Sequence, residues 1–146
     1  MIVLDANILV RAVLGRRVRR LVEMYASQGV QFCAPAVAFD EAQKYLPALL
    51  EKRGKSAADL SATLDYLQRV IEPVDEDLYG AFEQESRMRL QGRNDGDWPV
   101  LAAALAMACP VWTEDTDFFG TGIPVWTTNR IEIFLRTQTK ADESEP

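Results

Sequence analysis

Short, unbroken apolar runs alternate along the chain with longer stretches whose apolar residues return at helical spacing. The short runs read as strands buried on both faces, and the longer stretches as amphipathic helices. Residues 2–5 are then a strand ending in Asp5. Helices follow over 8–14, stopping near Gly15, and over 18–28, where Leu21, Val22 and Tyr25 share a face. A second strand is predicted over 30–34. Pro35 suits the first turn of a helix running to about Glu51, with Val37, Ala38, Ala42, Tyr45, Leu46 and Leu49 as its apolar stripe. Pro47 lies inside that helix and is expected to kink it or end it early.

Beyond a polar break at 52–56, Ser56 is placed to cap a helix through Arg69, and a strand follows at 70–73. Asp75 is placed to cap a helix over 78–90. Residues 91–96 read as a turn-rich loop, after which Asp97 opens an alanine-rich helix to Ala108. Strands at 111–113 and 124–127 flank a loop over 115–122. Residues 1–135 thus read as one domain, and 136–146 as a polar, acidic, solvated tail. Such alternation implies an α/β fold, a three-layer α/β/α sandwich around a central, mostly parallel sheet. In that architecture ligands gather at the carboxyl ends of the strands.

Composition narrows the chemistry. A chain of 146 residues fits a single core, and 48% hydrophobic with 26% charged residues excludes a disordered or low-complexity protein. The absence of histidine excludes Ser/His/Asp and Cys/His nucleophile pairs, His-ligated zinc and a His phosphorelay. A net charge of -6 speaks against a generally basic nucleic-acid coat or a membrane-surface protein, while leaving room for a local basic patch. Cys33 and Cys109 sit in apolar stretches and read as two buried thiols in a reducing cytosol, a disulfide remaining open. The apolar start is too short for a signal peptide, and the longest uncharged stretch, 98–113, is cut by Pro99 and Pro110 and too short for a bilayer. The expectation is a cytoplasmic protein with no membrane partner.

Acids fall where that fold would gather ligands. Asp5 and Asn7 follow the first strand, and Asp115 and Asp117 follow the strand at 111–113, so both pairs should reach one sheet edge. Helix capping and ordinary loop acids are the bland alternative. Glu41 falls on the apolar stripe of its helix, where a carboxylate needs a partner or a cation. Asp97, with Asp95 two residues before it, is placed as a helix N-cap, which fixes one oxygen and leaves the other free. Gathered together, Asp5, Glu41, Asp97 and Asp115 would need raised pKa values or divalent cations. An all-oxygen set favours Mg2+ or Mn2+ over zinc, and one or two such ions suit phosphodiester hydrolysis by water. Two would bring -6 to -2.

These residues resemble a family. The run Ile2-Val3-Leu4-Asp5-Ala6-Asn7, Glu41 after the second strand, Asp97-Trp98-Pro99-Val100-Leu101-Ala102-Ala103-Ala104 and Thr113-Glu114-Asp115-Thr116-Asp117-Phe118 together resemble a PIN-domain ribonuclease, the fold of VapC-type toxins of toxin–antitoxin modules. The likeness covers about residues 1–135. It implies that Asp5, Glu41, Asp97 and Asp115 are the catalytic acids holding Mg2+ or Mn2+ together with Asp117. Asn7 and Thr113 would support them, and Asp95 would share or replace the role of Asp97. It further implies endonucleolytic cleavage of single-stranded RNA, a homodimer, and neutralisation by a cognate antitoxin protein.

Candidate RNA contacts are the cluster Arg11, Arg16, Arg17, Arg19 and Arg20, and the basic group Arg87, Arg89 and Arg93 before Asp97. A solvated helix face, or pairing with Glu23, is the plainer explanation. Trp98 and Trp112 could stack on bases, although their apolar neighbours favour core packing. Two other functions stay open. One is a catalytically inactive PIN-fold module that binds RNA or protein. The other is an aspartyl-nucleophile phosphatase at Asp5, against which stands Asn7 where that chemistry wants a second acid.

Overall fold

The computed structural model describes residues 1–54 and 57–139. Its strands are β1 (Ile2–Leu4), β2 (Phe32–Pro35), β3 (Ile71–Val74), β4 (Val111–Trp112) and β5 (Val125–Trp126). They form one sheet in the order β3-β2-β1-β4-β5. Every pairing is parallel, with Val3 opposite Cys33 on one side and Val111 on the other. The strands begin or end within two residues of the predicted positions.

Period-two alternation in these strands feeds two separate cores. Ile2, Leu4, Phe32, Ala34 and Trp112 face one layer. That layer holds α1 (Ala6–Leu14), α2 (Arg17–Ser27), α3 (Ala36–Lys52), α4 (Ala57–Val70) and, through Ile131 and Leu135, α8 (Ile131–Thr137). Val3, Cys33 and Val111 face the other, with α5 (Glu76–Tyr79), α6 (Glu83–Arg89) and α7 (Trp98–Met107). A parallel sheet covered on both faces is the predicted sandwich. Burial of most of its apolar residues on both faces is the main source of stability. Among the described residues no helix is long and apolar enough to cross a membrane.

Several local expectations are corrected. Helix α3 runs unbroken through Pro47 to Lys52. The loss of one backbone bond there is outweighed by the buried stripe Ala38, Phe39, Ala42, Leu46 and Leu50 on both sides of it. The helix predicted over 78–90 is split into α5, a 3-10 turn at Gly80–Phe82, and α6. Asp75 sits at the N-cap position of α5 without a side-chain cap bond. Helix α8 has no counterpart among the predicted elements; it is seven residues long and Arg130 at its N-cap gives no capping bond. Arg136, the first residue of the expected tail, lies in α8. The predicted cap at Ser56 falls outside the described residues. Cys33 and Cys109 are free, buried thiols that meet in the second core.

Candidate functional site

The central strand β1 ends at the sheet's carboxyl edge, and Asp5 follows it directly. Asp5 caps α1 by accepting from the Ile8 backbone N–H through Oδ1 at 2.9 Å. Capping and site roles therefore coincide in one residue. Its other oxygen, Oδ2, accepts from the Thr113 hydroxyl. Thr113 follows β4, the neighbour of β1, and is fully buried. The same hydroxyl accepts from the Asp115 backbone N–H at 2.9 Å. Asp115 Oδ1 in turn accepts from the Asp117 N–H at 2.9 Å, turning the chain into a short 3-10 segment at Thr116–Phe118.

Two arginines hold this loop from outside. Arg93 donates to the carbonyls of Asp117 and Phe119, each at 2.6 Å, and Arg89 donates to the Thr121 carbonyl at 2.7 Å.

Asp97 occupies the N-cap position of α7, yet its side chain makes no cap bond. The expected cap is corrected by the 3-10 turn in front of it (Asp95–Asp97), where Asn94 accepts from Gly96 N–H at 3.1 Å. The Asp97 carboxylate is thereby free to turn toward the other acids. Its Oδ2 is buried without a hydrogen-bond partner among the described residues.

A cleft of about 490 Å³ opens over these groups. Asp5, Asn7, Glu41, Asp97 and Asp115 line it, beside an apolar wall that includes Val37, Tyr45 and Leu49. One oxygen each from Asp97, Asp115 and Asp117 lies within 4.8 Å of the others. The predicted quartet is thus brought to one cleft, and Asp117 joins it through Asp97 and Asp115. Asp95 does not line the cleft; it is exposed and ion-paired with Arg87 at 3.2 Å. Glu41 is exposed to the cleft rather than set in the core stripe, because α3 has two apolar faces. Ala38, Ala42 and Leu46 pack inward, while Val37, Tyr45 and Leu49 border the cleft.

The electrostatics follow from crowding. Burial pushes the Asp5 carboxyl up to about 6, against the bonds from Thr113 and Ile8, with Asp115 and Glu114 adding repulsion. Burial first, then the nearby Asp115, Asp5 and Glu41, push Asp97 up to about 7. Burial also raises Glu41, partly relieved by Lys44. Two remedies exist for such a cluster, protonation or a cation. The unpartnered buried oxygen of Asp97 and the all-carboxylate donor set fit a hard divalent cation, for which Asp97, Asp115 and Asp117 are the nearest group of ligands.

The predicted basic residues separate into two kinds. Arg19 donates to the Ala12 and Val13 carbonyls at the end of α1, at 2.9 and 2.7 Å, and Arg93 is engaged with the loop above. Arg11, Arg16, Arg17 and Arg20 are exposed, and their side chains make no hydrogen bond or ion pair to a described residue. Trp112 is fully buried, 6.3 Å from Phe32, and its Nε1 donates to Thr128, so it cannot stack on a base. Trp98 packs on Tyr79 with the Arg87 guanidinium over its ring.

Two further residues serve the site in roles that the sequence pattern does not give them. They are the loop anchor Arg89 and the acid Glu114, which accepts from Thr128 N–H at 2.7 Å. Arg89 carries a signal of a kind, since it lies in the basic group before Asp97.

No curated protein matches the chain. The family described as PIN domain matches residues 3–136, nearly the whole length, and the chain belongs to it.

Proposed function

We propose that this PIN-domain protein is a metal-dependent endoribonuclease that hydrolyses phosphodiester bonds of single-stranded RNA, with Asp5, Glu41, Asp97 and Asp115 as its catalytic acids. The observation that carries the reading is the unpartnered buried oxygen of Asp97 beside Asp115 and Asp117. A carboxylate left so is costly unless a cation completes it. Asp97, Asp115 and Asp117 would hold that ion, with Asp5 and Glu41 on the same cleft. A bound divalent ion supplies positive charge for the phosphoryl oxygens and makes an attacking water more acidic.

The chain's own residues do the rest. Thr113 and the Ile8 N–H fix the Asp5 carboxylate in one orientation, so its remaining lone pairs face a set direction. Arg93 and Arg89 hold the loop that carries Asp115 and Asp117. Asn7, exposed on the cleft, offers an amide to a phosphate or ribose. The phosphatase alternative is weaker, because both Asp5 oxygens already accept hydrogen bonds and are the less nucleophilic for it.

On the same resemblance the reading extends to the toxin of a toxin–antitoxin pair, acting as a homodimer. An antitoxin segment would cover the acids and the adjacent apolar wall of Val37, Tyr45 and Leu49. A small neighbouring reading frame with a DNA-binding pattern supports that extension, and its absence counts against it.

The test is direct. Purified protein is given Mn2+ and a panel of single-stranded RNAs, and cleavage products with 5′-phosphates are expected. Protein that cuts nothing and shows no Mn2+-dependent rise in melting midpoint sinks the reading. Cleavage that survives Asp115→Asn leaves the fold as a binding module with a contaminating nuclease.

A further inference from the structure

Next to the acidic cleft lies a second depression, of about 520 Å³, with the opposite charge. Arg11, Arg16, Arg17 and Arg53 line it, and Glu114 is its one acid. The two depressions adjoin at two places in the chain, since Val10 and Asp115 line the first while Arg11 and Glu114 line the second.

The fold leaves the four arginines without a bonded partner among the described residues. None of their side chains makes a hydrogen bond or ion pair with a described residue, whereas those of Arg19, Arg87, Arg89, Arg93 and Arg136 all do. Arg16 and Arg17 are also placed against local electrostatics, whereas Arg11 and Arg53 sit at helix C-terminal ends that favour a cation. Arg16 is the N-cap of α2 and Arg17 its first residue, and the helix has no side-chain cap and no acid in its first turn. Cations at the positive end of a helix are unfavourable, by about 0.3–1 kcal/mol each. The same end is favourable for an anion.

Glu114 does not cancel the pocket. It remains one negative charge against four positive ones, tied to the Thr128 N–H on the side of the β5–α8 turn.

We propose that this pocket binds an internal phosphodiester of the RNA strand, adjacent to the one held at the acids, through Arg11, Arg16, Arg17 and Arg53. The inference rests on the ribonuclease reading and adds to it the path of the strand. The RNA leaves the acidic cleft past Asp115 and Glu114 toward the α1–α2 turn. The pocket also explains how a protein of net charge -6 holds a polyanion. Guanidinium groups bind phosphate oxygens in pairs, so several can share one or two phosphates.

Single-turnover cleavage of a labelled single-stranded RNA in Mn2+ decides the matter, with Arg17→Ala/Arg53→Ala compared to wild type and to Arg69→Ala. Arg69 is exposed near β2 and β3, away from both depressions. The double variant should raise the half-saturating concentration about tenfold, leave the saturated rate within about threefold, and make the salt dependence shallower by about 0.7 for each phosphate no longer bound. Arg69→Ala should match wild type. Equal losses in Arg69→Ala, an unchanged double variant, or a loss confined to the saturated rate each overturn the pocket. So does a double variant that loses only a thermal shift from inorganic phosphate while cutting RNA normally, which would make it a free-phosphate site. If wild type cuts no RNA, the ribonuclease reading fails and this inference with it. If wild type cuts and the double variant is unaffected, only the pocket fails. Melting midpoints of all proteins in EDTA exclude misfolding as the cause.

Discussion

The hydroxyl of Thr113 joins Asp5 to Asp115, donating to Asp5 Oδ2 and accepting from the Asp115 N–H. One buried oxygen atom thus sets the relation between two strand ends. Thr113→Val keeps the shape and removes both bonds. It should cost about 1–3 kcal/mol of stability, since a buried carboxylate oxygen and an N–H lose their partner. It should also weaken Mn2+ binding about 10- to 100-fold, as loss of a group supporting a ligand does. Urea midpoints and Mn2+ titration by calorimetry check both, and Thr113→Ser should restore both. A Val variant with wild-type Mn2+ affinity would show that the hydroxyl is only structural.

Metal-free protein should have an inverted acid response. Asp5 at about 6 and Asp97 at about 7 retain protons in the folded chain at pH values where the unfolded chain, with a pKa near 3.8, has released them. The folded state binds more protons, so stability from these groups is full below about pH 4 and declines as pH rises to about 7. Asp5→Asn removes the buried charge while its amide can still accept from Ile8. In EDTA at pH 7.5 it should be more stable than wild type by about 1–3 kcal/mol, allowing for relaxation. That corresponds to a melting midpoint higher by about 2–4 °C per kcal/mol. At pH 4.5 the difference should shrink. A gap that widens on acidification would contradict the assignment, and saturating Mn2+ should stabilise wild type more than the variant.

Arg93 illustrates how a basic residue near an acidic cleft can serve the protein's own loop. Its two carbonyl partners belong to the loop bearing Asp115 and Asp117. Arg93→Ala should reduce Mn2+ affinity and cleavage together, and increase hydrogen exchange at residues 117–121. A variant whose only change is a weaker, less salt-dependent RNA interaction would mark Arg93 as a phosphate ligand instead.

Two glycines should respond oppositely to alanine. Gly122 has φ +87°, and a Cβ there would lie 2.7 Å from Arg89 Nη1, the group bound to the Thr121 carbonyl. Gly122→Ala should destabilise by about 1–3 kcal/mol through backbone strain and a displaced Arg89. Gly80 is right-handed helical, and its Cβ would meet only Glu76 Cγ at 3.5 Å. Gly80→Ala should gain about 0.4–1 kcal/mol from a less flexible unfolded chain. Paired urea titrations compare them.

The inner strands β1, β2 and β4 are readable in the sequence because each is an apolar run, the mark of a strand with both faces covered, whereas the edge strand β3 leaves Glu72 and Pro73 exposed. Asp5, Asp97 and Asp115 are readable for a related reason, as acids directly after a strand or before a helix. Finer features are not. Val37 and Tyr45 merge with the core stripe of α3, since periodicity cannot tell an apolar cleft wall from a core. Asp97 looks like a cap because its position is one; only the turn made by Asn94 frees it. The separation of Arg19 and Arg93 from Arg16 and Arg17 depends on which carbonyls lie within reach, and those belong to segments distant in the chain or across a turn.

The central strand is the first in the chain, and it pairs with β4 across more than a hundred residues. During synthesis, then, Asp5 emerges first and waits for Thr113 and Asp115. No nascent chain still lacking β4 can assemble the cluster, however well its N-terminal half has condensed.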